Sequence, residues 1–230
     1  MAFKINWDAA GERVYETGVD RGVIYVYNST PSQNTNYYGG VAWNGLTGVT
    51  QSPSGAESNP IYADNMKYLD IRSAEEYGAT IEAYTYPDEF AECDGSAEAA
   101  PGVFISQQAR KKFGFSYRTR IGNDEDGDNH GYKIHLVYGA TASPSEKGYQ
   151  TVNDSPEAIN FSWEVATEPI PVTGHRPVAH LEIDSTKVDA TKLAEFETML
   201  YGSSGESASD AYMPLPDAVI AHFTSNNTEG

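Results

Sequence analysis

The strongest constraint on the fold lies in residues 111–140, KKFGFSYRTRIGNDEDGDNHGYKIHLVYGA, where apolar and polar side chains alternate on both sides of an acidic turn. Such alternation is typical of antiparallel strands joined as a β-hairpin, because successive side chains of a strand point to opposite faces. The more apolar face of each strand holds Phe113, Phe115, Tyr117, Thr119 and Ile121 in the first strand, and Tyr132, Ile134, Leu136 and Tyr138 in the second. We expect the two strands to bury one face of a sheet together.

The turn of this hairpin, residues 123–130, gathers four carboxylates around a glycine. These residues are Asp124, Glu125, Asp126, Gly127 and Asp128. A helix–loop–helix calcium site needs glycine at position 6 and a bidentate glutamate at position 12. Counted from Asp124, glycine falls at position 4 and a histidine at position 12, so the spacing does not fit. We interpret the turn as an exposed hairpin tip, with a weak cation site as the alternative.

Other segments extend the β character of the chain. Strand patterns also occur in residues 23–27, 77–84, 160–168 and 177–184. Residues 189–201 show helix signals instead, since Asp189 can cap a helix whose apolar side chains recur on one side, before Gly202. Residues 216–223 fit either a short helix or a last strand. The sequence therefore predicts a mainly β fold, a β-sandwich or barrel, with one flanking α-helix at about residues 189–201.

Two long stretches lack a clear pattern, and we expect extended loops at residues 28–60 and 87–110. The first contains apolar anchors, among them Tyr37, Tyr38 and Trp43, which favours an arm that docks on a partner over a simple linker. These three aromatic residues are therefore candidates for a subunit interface.

A single domain over residues 1–230 is the simplest organisation, because β-rich domains of this size are common. We expect its carboxyl end, residues 224–230, to be flexible. Cys93 is the one cysteine, so an intrachain disulfide is impossible. No apolar run approaches the ~20 residues that cross a bilayer, and we expect no association with a membrane.

The charge balance restricts the partners. The chain has 33 acidic and 15 basic residues and a net charge of −18 at pH 7. Nonspecific binding to nucleic acid needs clustered Lys and Arg, so it is not expected here. One basic stripe does occur, and it comprises Arg110, Lys111, Lys112, Arg118, Arg120 and Lys133. The stripe is either a solvated strand face or a surface that meets acidic residues of a neighbouring subunit.

Catalytic signatures are missing from the sequence. It has no phosphate-binding glycine loop, no HExxH and no GxSxG motif. His175 and His180 stand five positions apart without a nearby cysteine, which does not favour a zinc site. We expect no enzymatic activity and no cofactor.

Several stretches resemble one protein family. They are ERVYETGVDRGVIY, AWNGLTGVTQSPSGAESNPIYADNMKY, SAEEYGATIEAYTYPDEFAECDG and HLVYGATASPSEKGYQTVNDSPEAINFSWEV. In their residues and in their order along the chain, these stretches are similar to the major tail protein of long, noncontractile-tailed phages and prophages of Gram-positive bacteria. The resemblance runs from about residue 11 to the PLPDAVIAHF segment. It implies a structural protein, so no catalytic residue is carried over.

The resemblance also implies an assembly. The protomer would form hexameric rings that stack into the tail tube of a virion built in the host cytoplasm. Its partners would be other copies of itself, the tape-measure protein inside the tube, the tail terminator and the distal tail proteins. DNA would later pass through the tube without specific binding.

Passing DNA favours an acidic channel, because DNA carries one negative charge per ~1.7 Å of its axis and a basic wall would hold it. The candidate channel residues are Glu82, Glu164, Glu168 and Glu182. These glutamates could instead solvate an outer face. The alternative function is a carbohydrate-binding β-sandwich, suggested by 16 tyrosines and by Trp43 in an expected loop.

Overall fold

The computed structural model describes residues 5–152, 154–155, 157–205 and 208–225, so all but two residues of the expected flexible end at 224–230 lie outside the described residues. The strands are β1 (Tyr15–Ser32), β2 (Thr35–Tyr37), β3 (Val41–Trp43), β4 (Leu46–Gln51), β5 (Ser54–Gly55), β6 (Ser58–Ala63), β7 (Met66–Arg72), β8 (Glu75–Glu76), β9 (Gly78–Ala83), β10 (Ala97–Ala100), β11 (Val103–Ile105), β12 (Phe113–Asn123), β13 (Gly127–Ala142), β14 (Phe161–Thr167) and β15 (His180–Asp184). The helices are α1 (Ala190–Tyr201) and α2 (Pro216–Thr224), with a 3₁₀ turn at Asp88–Phe90. The chain is mainly β, as the sequence predicts.

One antiparallel sheet of nine strands organises the fold, in the order β2-β1-β12-β13-β14-β9-β4, with β3 added to β1 and β15 added to β13. The long strand β13 has two partners along one edge, since Lys133–Val137 pairs with β15 and Ala140–Ala142 pairs with β14. Between these two sections lies Gly139, whose φ of 59° few other residues adopt. A register shift against β12 places a β-bulge at the same point. The sheet therefore bends and divides at Gly139.

Each face of the sheet covers its own core. The first core includes Phe115, Trp163 and Trp43, which the bent sheet and the segment around Phe90 enclose. The second core lies on the opposite face, where α1 and α2 pack against residues such as Ile134 and Leu136.

The register of β12 against β13 corrects the expectation that both strands bury one face together. Phe115 lies opposite Val137, and Ser116 lies opposite Leu136. Directly opposed residues share a face, so the aromatic face of β12 belongs to the first core. Leu136 and Ile134 on β13 point the other way, into the second core under the helices. The hairpin is thus buried on both faces, which a period-two pattern in one strand at a time does not reveal.

Helix α1 confirms its sequence signals. The Asp189 carboxylate accepts hydrogen bonds from the backbone N–H groups of Thr191 and Lys192, and Gly202 follows the last turn with a φ of 76°. Of the two alternatives for residues 216–223, a short helix or a last strand, the structure has the helix α2. Pro216 suits a first helical turn, and Val219 is buried in the second core. Neither helix, within the described part of the chain, has the length and apolar character of a membrane-crossing helix.

Strands make up most of the first expected loop and a smaller part of the second. Residues 28–60 contain the end of β1, all of β2 to β5 and the beginning of β6. These short strands are held by backbone pairing with more distant strands, as where Val41–Trp43 pairs with Gly22–Ile24 of β1. Residues 87–110 contain the 3₁₀ turn, which buries Phe90, and then the separate hairpin β10–β11.

Candidate assembly surfaces

Strands β6 and β7 form a two-stranded sheet separate from the nine-stranded one, and we name residues 58–72 the arm. Every residue of both strands is exposed. The turn between the strands places Asp64 and Asn65 at φ values of 50° and 61°, the left-handed pair that a tight hairpin turn requires. At its base, β5 pairs with β8 and connects the arm to the main sheet.

The two faces of the arm differ in character. Ile61 lies opposite Leu69, and Ile71 lies two residues further along β7 on the same face. These three side chains are 40–53% exposed. On the other face, Asp70 accepts hydrogen bonds from Ser58 Oγ at 2.5 Å and Lys67 Nζ at 2.7 Å. The face of Ile61, Leu69 and Ile71 is therefore apolar apart from Asn59, which lies opposite Ile71, and the other face mixes polar residues with Pro60 and Tyr62. The protomer leaves both faces in solvent.

Strands β10 and β11 form a further separate sheet, which we name the second hairpin (residues 97–105). Ala97 opposes Ile105 and Ala100 opposes Val103, so small and branched side chains share one face. Val103 and Ile105 are exposed. The backbone N–H of Gly102 donates to the Glu98 carboxylate at 2.8 Å and closes the turn.

The acidic channel candidates separate into two groups. Ser162 lies opposite Glu82 and Glu164 lies opposite Thr80, so both glutamates lie on one face of β9 and β14. This face points away from the first core, since Trp163 and Ile81 occupy the alternate positions. Strand β4 extends the face with Thr50, which is exposed. We name it the acidic face.

The other two channel candidates are paired with bases. Glu168 follows β14 and forms an ion pair with Lys112. Glu182 on β15 lies 3.0 Å from Lys133 Nζ. Neither carboxylate adds an unpaired charge to the acidic face.

All six residues of the basic stripe have acidic partners within the protomer. The pairs are Arg110 with Asp94, Lys111 with Glu92, Lys112 with Glu168, Arg118 and Arg120 with Asp20, and Lys133 with Glu16 and Glu182. The Arg118–Asp20 pair is bidentate, with N–O distances of 2.7 and 2.9 Å. Hydrogen bonding from Arg118 lowers the pKa of Asp20. The stripe is therefore largely neutralised, and its role at a subunit interface stays a prediction.

The aromatic interface candidates are mostly in the interior, which corrects that expectation. Trp43 is buried in the first core, and its Nε1 donates to the Thr85 carbonyl at 2.9 Å. Tyr37 is buried in the second core, and its hydroxyl accepts from the Gly139 backbone N–H at 3.0 Å. Tyr38 is half-buried, and its hydroxyl donates to the Thr30 carbonyl. Since Trp43 is buried, it cannot stack on a sugar ring, and the carbohydrate-binding alternative keeps only the tyrosine content in its favour.

Sequence reasoning missed a buried pair of histidines. His135 on β13 and His180 on β15 lie side by side, with 3.1 Å between His135 Nδ1 and His180 Nε2. The two rings stack between Tyr117 and Tyr77, at centroid distances of 4.5 Å for Tyr117–His135 and 4.8 Å for Tyr77–His180. Burial and the neighbouring His180 lower the pKa of His135 to about 4. The alternation places both histidines on the polar faces of their strands, and only the β13–β15 pairing brings them together.

The acidic turn at residues 123–130 holds the amino-terminal segment. The Asp124 carboxylate accepts from the Gly11 backbone N–H at 3.1 Å, and the Asp128 carboxylate accepts from the Tyr15 hydroxyl at 2.8 Å. Arg13 adds an ion pair to Asp124 at 3.6 Å. Within the described residues, no group of three or more His, Cys, Asp or Glu side chains is arranged to hold a metal ion.

Comparisons with known proteins give no family. No protein-family model matches the chain, and no curated protein matches it. Among solved structures, the chain is similar to a chain in the six-fold symmetrised cryo-EM structure of the anti-feeding prophage (AFP) baseplate. The match has 9% sequence identity and a TM-score of 0.32, and it covers 78% of this chain and 97% of that chain. A TM-score of this size carries no argument about function.

Proposed function

We propose that this chain is a structural protomer that assembles with copies of itself into the tube of a long, noncontractile phage tail. The observation that carries the proposal is the arm, whose apolar face of Ile61, Leu69 and Ile71 stays exposed in the protomer. An isolated two-stranded hairpin is at best marginally stable in water, and exposed apolar faces mark interaction sites. Assembly would cover this face.

The resemblance described above supplies the form of the assembly: hexameric rings that stack around a tape-measure protein. The chain would meet the tail terminator and the distal tail proteins at the two ends of the tube, and it would be located in the virion tail. The arm would contact a different surface of the next copy, and contacts between different surfaces produce rings or continuing stacks rather than closed dimers. The proposed role is structural, without catalysis.

The acidic face is the proposed wall of the channel. Glu82 and Glu164 share this face, and neither forms an ion pair within the described residues. Repetition around a ring would multiply their charge, and the enclosed geometry would strengthen the field. DNA would then move along a wall that repels it. Glu168 and Glu182 contribute less to this proposal, because Lys112 and Lys133 neutralise them.

Assembly of the purified protein tests the proposed function. Size-exclusion chromatography and negative-stain microscopy should show rings or tubes for the natural chain. A variant in which residues 57–73 are replaced by a short Gly-Ser turn should stay folded and monomeric, because the pairing of β5 with β8 remains. A natural chain that stays monomeric at all concentrations would overturn the proposal.

The position of the acidic face has its own test. A map of the assembled tube should place Glu82 and Glu164 on the inner wall. If both face the exterior, the channel assignment is wrong, even where the assembly itself is confirmed.

A further inference from the structure

The apolar face of the arm needs an acceptor, and exposed apolar side chains outside the arm mark where it could lie. Two exposed pairs adjoin a charge directly, since Tyr15 beside Val14 donates to the Asp128 carboxylate and Tyr86 near Tyr84 lies under the Lys147 ammonium. Three further patches are candidates: Ile5 with Trp7, Val103 with Ile105, and Tyr149 with Val152. They differ in backbone order and in nearby charge. Both properties matter, because ordering a loose segment costs conformational entropy and burying an unpaired charge is expensive.

Two of these patches are poor acceptors. Ile5 and Trp7 precede the first strand and are followed at once by Asp8. Tyr149 and Val152 lie in an irregular segment between β13 and β14. Neither patch lies on a paired strand, and docking on the first would also bring a carboxylate into the contact.

The second hairpin has neither disadvantage. Its strands are already paired, and its base is held by the hydrogen bond from Gln108 N to Gly95 O at 2.9 Å. Glu98 is the one charged residue of this hairpin, and it lies opposite Phe104, on the face away from Ala97 and Ile105. An apolar surface can therefore cover this face without desolvating a charge.

The shapes of the two faces also fit. The second hairpin alternates Ala97 and Ala100 with the larger Val103 and Ile105. The face of the arm consists of large side chains. Large side chains opposite small ones allow two sheet faces to interdigitate.

We infer that the apolar face of the arm of one copy packs on the Ala97–Ile105 face of the second hairpin of another copy. This inference rests on the proposed self-assembly and specifies its contact. The contact is heterologous, since each copy offers an arm and accepts one, so the chain of contacts continues from copy to copy.

A charge exchange tests the contact. Leu69→Lys and Ile105→Glu should each lower the assembled fraction by roughly tenfold or more, because each places an unpaired charge in an apolar contact. The double variant should recover a large part of the assembly, since the two charges then face each other. Circular dichroism and thermal melting should be unchanged in all three, because both side chains are exposed in the protomer. Tyr149→Glu is the matched control and should assemble normally.

Each other outcome rejects a specific statement. If the natural chain does not assemble, the proposed function fails. If the natural chain assembles but Ile105→Glu assembles equally well, or Tyr149→Glu blocks assembly as strongly, the second hairpin is not the acceptor. If both single variants block assembly and the double variant does not recover, Leu69 and Ile105 do not meet.

Discussion

Two hairpins of this chain carry apolar residues in similar proportion but have opposite environments. The β12–β13 hairpin is buried on both faces, by the first core on one side and by α1 and α2 on the other. The arm, β6–β7, touches neither core and has every residue exposed. Apolar content alone therefore does not show which hairpin belongs to the core. Within one chain, one hairpin can form the core of the fold while another stays exposed to solvent.

The comparison gives the arm and the buried hairpin separate energetic roles. Residues of β12 and β13 should control the free energy of unfolding of the protomer. Residues of the arm should control assembly and leave the free energy of unfolding unchanged. Three predictions on stability test this separation.

The largest effect is expected from the core. Phe115→Ala should lower the free energy of unfolding by about 3–5 kcal/mol, because it leaves a cavity beside Trp43. The matched change in the arm, Leu69→Ala, should alter it by no more than about 0.5 kcal/mol. Urea denaturation of the monomeric protein measures both values. Similar losses of unfolding free energy for the two variants would mean that the arm packs within the protomer, which would contradict the separate roles of the two hairpins.

Acid should weaken the buried hairpin through its histidine pair. The pKa of His135 is lowered to about 4 in the folded protein from the ordinary value of 6.5, first by burial and then by His180. In the unfolded chain, the imidazole of His135 therefore binds a proton as the pH falls below about 6.5. In the folded chain, the same imidazole stays neutral until about pH 4. Stability that is present above pH 6.5 is lost across this window, by roughly 3 kcal/mol.

Two variants check the source of this pH dependence. His135→Phe keeps a ring beside Tyr117 but cannot bind a proton, so the slope of unfolding free energy against pH should become much flatter. His175→Gln changes an exposed histidine and should keep the slope. An unchanged slope in His135→Phe would assign the acid sensitivity to other groups.

The smallest of the three effects concerns ion pairs. Arg118→Gln should cost about 1–3 kcal/mol, because Asp20 loses a charge-assisted bidentate partner whose side chain is only 15% exposed. Lys67→Gln in the arm breaks the exposed pair with Asp70 and should cost about 0.5 kcal/mol or less. Thermal melting at low and moderate salt measures both. Equal losses would contradict the difference between the two hairpins.

This ion pair also changes the expectation for the basic stripe. If the basic stripe met a neighbouring subunit, as the sequence allows, reversing Arg118 and Arg120 to glutamate would block assembly without changing the stability of the protomer. The structure places both side chains on Asp20. The reversal would bring three carboxylates together and destabilise the pairing of β1 with β12, so a loss of assembly in this variant would not by itself identify an interface.

Sequence predicted well wherever the signal was local. Alternation identified the hairpin at residues 111–140 and the strands near residues 23–27, 77–84, 160–168 and 177–184. Asp189 and Gly202 marked the ends of α1 because capping needs only a few neighbouring residues. Prediction failed in residues 28–60, where short strands depend on pairing with distant segments, β2 and β3 with β1 and β4 with β9.

The candidate surfaces show the same division. The sequence placed Glu82 and Glu164 on polar strand faces, and the pairing of β9 with β14 puts them on one surface. It placed Trp43 and Tyr37 on an interface, whereas the fold buries them, since an aromatic residue in a polar stretch has no local mark of burial. The apolar face of the arm was not recognised, because its faces are defined by cross-strand register.

The mainly β character, the capped helix and the charge of −18 follow from the sequence alone, since periodicity, capping and composition are properties of short segments or of sums. The neighbour that each strand face meets is set by the tertiary fold. The register at Phe115 and Val137, the His135–His180 pair and the Asp20 contacts of Arg118 all join residues far apart in the chain. The two-residue repeat of a strand fixes that its side chains alternate between two faces. The partner of each side chain depends on how the strands pair across the sheet.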